Sequence, residues 1–186
     1  MKVEEFVDPY LGQSWGSLGA RVLTSGSQVS VTLGYPAAGL QADLAVQLAA
    51  FLEVDTVDLQ LNFAVNGGSG FGQVKHIVLV SSGKGGVGKS TTAVNLALAL
   101  DAEGAKVGLL DGDIYGPSQG MMLGVAEGQR PNIKDGKHFE PFRAHGLKAM
   151  SMSFMTTDKT PMVWRGPMAS GALQQILGQT LWGDLD

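Results

Sequence analysis

One stretch limits what this chain can fold into more than any other: Gly83-Lys84-Gly85-Gly86-Val87-Gly88-Lys89-Ser90-Thr91. An apolar run, His76 to Val80, precedes it, and a helical pattern, Ala93 to Leu100, follows. Strand, glycine loop, helix is the setting that a phosphate-binding loop needs. Gly83, four residues, then Gly88-Lys89-Ser90 fits G-x-x-x-x-G-K-[ST]. Glycines let backbone N–H groups turn inward around a phosphate where a side chain would obstruct it. The helix N-terminus adds its partial positive charge at the same point. On this reading Gly83 to Thr91 grip a nucleotide, Lys89 reaches its β- and γ-phosphates, and the Ser90 hydroxyl ligates Mg²⁺. Gly83, Gly85 and Gly88 also satisfy the dinucleotide pattern G-x-G-x-x-G, with Asp111 near the place of a ribose-binding acid. Lys89-Ser90 decides between the two. A triphosphate carried with Mg²⁺ uses a lysine followed by a hydroxyl, and a dinucleotide loop has no role for that pair. ATP with Mg²⁺ is the expected ligand.

The segments on either side predict an α/β fold in two domains. Residues 1–65 read as a small α+β domain. Met1 to Val7 suggests a helix end stopped by Asp8-Pro9, and Ser17 to Thr24 is expected to pair with the alternating strand Val29, Val31, Leu33. A helix opened by Pro36 puts Leu40, Leu44, Leu48, Phe51 and Leu52 on one face. Val57 to Val65 alternates as a further strand. Asp43, Glu53, Asp55 and Asp58 read as solvated face residues. Asn66 to Gly72 is linker-like in composition, so residues 66–73 form the boundary and 74–186 the second domain. There the loop strand, a helix ending at Gly104, and the strand Lys106 to Leu110 form a strand–helix–strand unit of a doubly wound, mainly parallel sheet.

Asp111 and Asp113 fall at the carboxyl end of that strand, where open α/β sheets bind ligands. Carboxylates there can accept hydrogen bonds from an attacking water or from metal-bound waters. Two solvated turn aspartates would have the same spacing, and the pattern alone leaves both readings open. Gly124 to Gly146 reads as loops with a hairpin near Lys134 to Lys137, and Leu147 to Phe154 as a strand whose Met150 and Met152, with Met155 beyond, belong to the core. His76, His138 and His145 have no partner at metal-ligand spacing. Trp164 and Arg165 are either a nucleotide or partner contact or an anchor beside a helix start. The last helix is expected over Met168 to Trp182, with Leu173, Ile176, Leu177 and Leu181 inward.

Charge and cysteine usage narrow the function. A net charge of −4 gives no general attraction to nucleic acid or an anionic membrane. Neither a signal-peptide core nor an apolar run of transmembrane length is present, which makes the cytoplasm the default expectation. With no cysteine, this chain has neither a disulfide nor a thiolate-held metal.

The motifs resemble a known group. Lys84 makes the loop similar to the K-G-G-x-G-K-[ST] signature of the MinD/ParA/nitrogenase-iron-protein superfamily. Asp113-Ile114-Tyr115-Gly116-Pro117-Ser118, Trp164-Arg165-Gly166-Pro167-Met168 and Leu181-Trp182-Gly183-Asp184-Leu185-Asp186 resemble the Mrp/ApbC group of ATP-binding iron–sulfur cluster carriers. The front domain looks like the small module often fused ahead of that ATPase. The resemblance implies a homodimer through the nucleotide face and slow ATP hydrolysis. In it Lys84 acts on the partner's nucleotide, Asp113 orients the attacking water, and Asp111 supports the metal. It also implies transfer of an iron–sulfur cluster to apoproteins. In that group a strand ending in aspartate, a second switch and a C-x-x-C follow the L-W-G-D-L-D stretch, so the chain reads as the front portion of such a carrier, with an incomplete sheet. Gly112 stands where alanine is usual and Gly120 where proline is usual, which predicts added backbone freedom beside the switch. An alternative in the same superfamily, a partitioning or cell-division ATPase of the MinD/ParA type, shares the loop and D-x-D. A non-catalytic nucleotide-binding module is the further alternative.

Overall fold

The computed structural model describes residues 2–64, 70–113, 116, 118–126, 128–155 and 166–186, with the side chains of 166 and 167 excepted. The chain divides into two compact units, Met1–Gly67 with Ala102–Ala105 and Gly68–Asp101 with Lys106–Asp186.

The first unit is built on three strands, β1 (Arg21–Ser25), β2 (Gln28–Leu33) and β3 (Asp58–Phe63), in the order β1-β2-β3. β1 runs antiparallel to β2, whereas β2 and β3 are parallel, with Val31 opposite Leu61. The intervening helix α1 (Gln41–Leu52) supplies the long crossover that a parallel pair requires. Alternation along β2 sends Val29, Val31 and Leu33 inward, where they meet Leu44 and Leu48 of α1. Val3 to Glu5 form a single 3₁₀ turn in place of the expected helix end. Trp15 is fully buried against Phe6, with ring centroids 4.7 Å apart.

Asp8 has a larger part in this unit than ending a helix. It is 1% exposed and accepts hydrogen bonds from the Tyr10 and Leu11 amides, the Tyr35 hydroxyl and the Trp15 indole. Burial pushes its carboxyl upward, but those four donors together outweigh burial and hold it below its ordinary value.

The second unit holds the mixed sheet β4 (Gly108–Asp111), β8 (Leu147–Ser151) and β7 (Phe142–Ala144), in the order β4-β8-β7. β4 and β8 are parallel, and β7 returns antiparallel to β8. Its two faces are covered by different layers. Leu147 and Ala149 pack with Val94 and Ala97 of helix α2 (Lys89–Ala102), while Met150 packs with Ile176 of helix α4 (Gly166–Gln179) and with Trp182. The fold is α/β with mixed sheets. A short helix α3 (Gln119–Met122) and the hairpin β5 (Ile133–Lys134), β6 (His138–Phe139) complete the unit. Met150 and Met152 are core residues. No helix among the described residues is long and apolar enough to cross a membrane.

Three expectations need correction. The run 76–80 is not a strand. Leu185 pairs in parallel with Val74, and the His76 amide donates to the Asp186 carbonyl, while the Asp186 amide donates to Lys106 on the other side. Beyond His76 the described residues offer no backbone partner to 77–80, and a strand exists only through its pairing. Val78 and Leu79 are accordingly 68% and 87% exposed. The last helix ends at Gln179 instead of Trp182, so Leu181 points outward and Trp182 inward. Gly120 is not a point of freedom: a Cβ there would lie 2.8 Å from Phe154, so only glycine lets α3 approach the core this closely. The linker residues 66–69, Ile114, Tyr115, Pro117, Trp164 and Arg165 lie outside the described residues.

Candidate functional site

Between the exposed run 77–80 and α2 the chain makes an open glycine loop. Gly86 and Gly88 adopt φ of 73° and 87°, which side-chain-bearing residues seldom take. No heavy atom lies within 4 Å of a Cβ built on Gly83, Gly85, Gly86 or Gly88, so the concave side of the loop is clear. The Ser82 hydroxyl closes the first turn on the Lys84 carbonyl at 2.9 Å, and the Thr92 amide donates to Gly88 at 2.8 Å. A cavity of about 580 Å³ results, lined by the loop with Lys84, Lys89, Ser90, Thr91, Asp113 and Gly116. Its size is within the range of small-ligand sites. Its chemistry is that of an anion site: backbone amides at a helix start and two lysines line it, with one carboxylate opposite Lys89.

Asp113 is drawn to the loop from the end of β4. Its Oδ2 accepts from Lys89 Nζ at 3.2 Å, and its Oδ1 accepts from the Gly116 amide at 3.1 Å. Asp111, only 6% exposed, is occupied differently: its two oxygens accept from the amides of Asp113, Ser118 and Gln119 at 2.9–3.0 Å. These three bonds hold the amides of Asp113, Ser118 and Gln119 at the end of β4, with Asp113 opposite Lys89.

The cavity brings together Gly83 to Thr91 and Asp113, whereas Asp111 is not among its lining residues and is held by backbone amides at the end of β4. Lys84 lines the cavity, and its ammonium makes no ion pair among the described residues. Gln119 escapes a reading by motif. It is 5% exposed, and its Nε2 donates to the Ser90 carbonyl at 2.9 Å. Nothing in the sequence marks it beyond a polar residue following a turn.

Among the described residues no three His, Cys, Asp or Glu side chains converge as a metal site. The donors suit Mg²⁺ that arrives on a nucleotide: one hydroxyl, Ser90, and nearby carboxylates whose remaining lone pairs can accept from metal-bound waters. Mg²⁺ is usually held this way, with substrate phosphates and water in most positions, and seldom by an all-protein cage.

Comparison with known proteins matches residues 73–186 to ParA, the NUBPL iron-transfer P-loop NTPase family. The chain is 68% identical over 117 residues to the iron-sulfur cluster carrier protein of Pseudomonas fragi, covering 63% of this chain and 41% of that protein. The protein of the same name from Deinococcus radiodurans is 42% identical over 189 residues, covering 96% of this chain and 54% of its own length. That of Escherichia coli K12 is 65% identical over 117 residues, covering 63% of this chain and 31% of its own. The chain therefore spans about a third to a half of the curated relatives it matches. A solved nucleotide-binding protein in complex with ADP from Archaeoglobus fulgidus is 37% identical, with a TM-score of 0.47 over 57% of this chain and 40% of its own.

Proposed function

The chain belongs to the NUBPL iron-transfer P-loop NTPase family, and on that premise we propose that it supplies the nucleotide-binding part of an ATP-driven iron–sulfur cluster carrier. The observation that carries this reading is the ion pair across the mouth of the loop, Lys89 Nζ to Asp113 Oδ2 at 3.2 Å. It supports the reading because Lys89 and Asp113 line the same small cavity.

In the proposed mechanism the amides of Gly83 to Gly88 and the α2 N-terminus bind the phosphates, and Lys89 turns from Asp113 to the β- and γ-phosphates. Asp113, no longer paired with Lys89, accepts a hydrogen bond from the attacking water. Mg²⁺, when bound with the nucleotide, neutralises developing phosphate charge. Ser90 and, through water, Asp111 are the groups that would hold it. Lys84 reaches the nucleotide of a second copy, so that two chains meet through this face. The cluster is cargo destined for apoproteins. Its thiolate ligands come from outside these 186 residues, which contain no cysteine.

Titration with Mg-ATP and Mg-ADP tests the reading. Lys89→Ala should abolish the heat of binding; unchanged affinity would contradict it. Lys84→Ala should leave binding intact and suppress turnover and dimerisation in a chain that carries the rest of the carrier. Wild-type turnover there would remove the role in trans.

A further inference from the structure

The loop helix and the β4 segment are separate pieces of backbone, and both must hold their places for one site to exist. Among the described residues two polar side-chain bonds join 89–90 to 111–119: the Lys89–Asp113 ion pair and the bond from Gln119 to the Ser90 carbonyl. They differ in exposure. The ion-pair side chains are 33% and 34% exposed, whereas Gln119 is 5% exposed. On the reading proposed above, phosphate takes Lys89 away from Asp113, which leaves Gln119 as the bond that spans the gap.

Gln119 is also tied at its other end. Its own amide donates to Asp111 Oδ2 at 3.0 Å, and the next residue, Gly120, is pressed against Phe154. A single residue therefore ties Ser90 on one side to Asp111 on the other. Its side-chain oxygen, Oε1, is buried with no hydrogen-bond partner among the described residues. Burying an unpaired acceptor is unfavourable, and an apolar side chain of the same shape would avoid that cost. The Ser90 carbonyl lies in the first turn of α2, where the helix offers it an intrahelical donor as well. Stability alone does not favour glutamine at this position.

We infer that Gln119 is a positioning residue that holds Ser90 in register with Asp111 and Asp113, and so sets how strongly Mg²⁺ couples to nucleotide binding. The inference rests on the phosphate-loop reading and adds to it. Partners that orient metal ligands from behind typically alter metal affinity about 10–100-fold when they are removed.

The test measures ADP affinity of the full chain with and without Mg²⁺, together with thermal stability. Gln119→Met keeps the length and removes the donor. It should melt at or above the wild-type temperature and bind metal-free ADP within about twofold of wild type. The affinity gained from Mg²⁺ should fall at least about tenfold. Gln119→Glu, which cannot donate to the Ser90 carbonyl, should lose the same gain. An undiminished Mg²⁺ effect in both variants overturns the inference, as does a Gln119→Met chain that melts early or fails to fold. A wild-type chain that binds no nucleotide overturns the phosphate-loop reading itself, which separates the two failures.

Discussion

Asp113→Asn removes the ion pair with Lys89. Asparagine keeps the shape of the side chain, and its carbonyl oxygen can still accept from the Gly116 amide, now 3.1 Å from Oδ1. The Oδ2 position then becomes an amide NH2, so both the negative charge and the acceptor facing Lys89 are lost. At 3.2 Å the bare attraction is about 5 kcal/mol at an effective dielectric of about 20. Both side chains are about a third exposed, so water screening reduces the net worth of the pair to about 0.5–1 kcal/mol. Nucleotide binding must break this pair before Lys89 can reach a phosphate. Removing it should tighten ADP and ATP binding by about two- to fivefold, since about 1.4 kcal/mol corresponds to a factor of ten. Calorimetry at low salt measures the gain, and raising ionic strength from about 0.05 to 0.3 M should shrink it. Turnover, if Asp113 orients water, should fall in the same variant by about 10²–10⁴-fold. Weaker nucleotide binding in Asp113→Asn would refute the reasoning, because it would mean that the carboxylate assists the bound state and does not compete with it.

Other outcomes follow from the packing. Gly120→Ala would place a Cβ 2.8 Å from Phe154 and should lower stability by about 1–3 kcal/mol, read by denaturant midpoint; an unchanged midpoint would show that α3 yields easily. Asp8→Asn should cost about 1–3 kcal/mol by removing a buried charge from four donors. Because the folded carboxyl is held below its ordinary 3.8, wild-type Asp8 contributes stability above that pH and loses it as pH falls further. The gap between Asp8→Asn and wild type should therefore close in acid, and a gap independent of pH would exclude the ionised form as its source. Leu79→Lys, at a residue 87% exposed on backbone with no partner among the described residues, should reduce self-association in light scattering without lowering the melting temperature.

The sequence alone determined the chemistry of the loop. Glycines at Gly86 and Gly88 meet positive φ, and Lys89-Ser90 follows at the helix start, because these are local requirements of a few consecutive residues. Alternation in β2 was legible for the same reason: one-sided burial repeats over short distances. Tertiary structure decided whatever depended on a partner far along the chain. The run 76–80 has strand composition, yet strand pairing needs a neighbour, and among the described residues pairing stops at His76. Gly120 suggested freedom by type and proved to be a close contact, because Phe154 lies against it. Gln119 carries no signature at all, since its meaning lies in the Ser90 carbonyl 29 positions away. Local sequence specifies backbone shape and donor type, and only the folded chain specifies which distant group each donor meets.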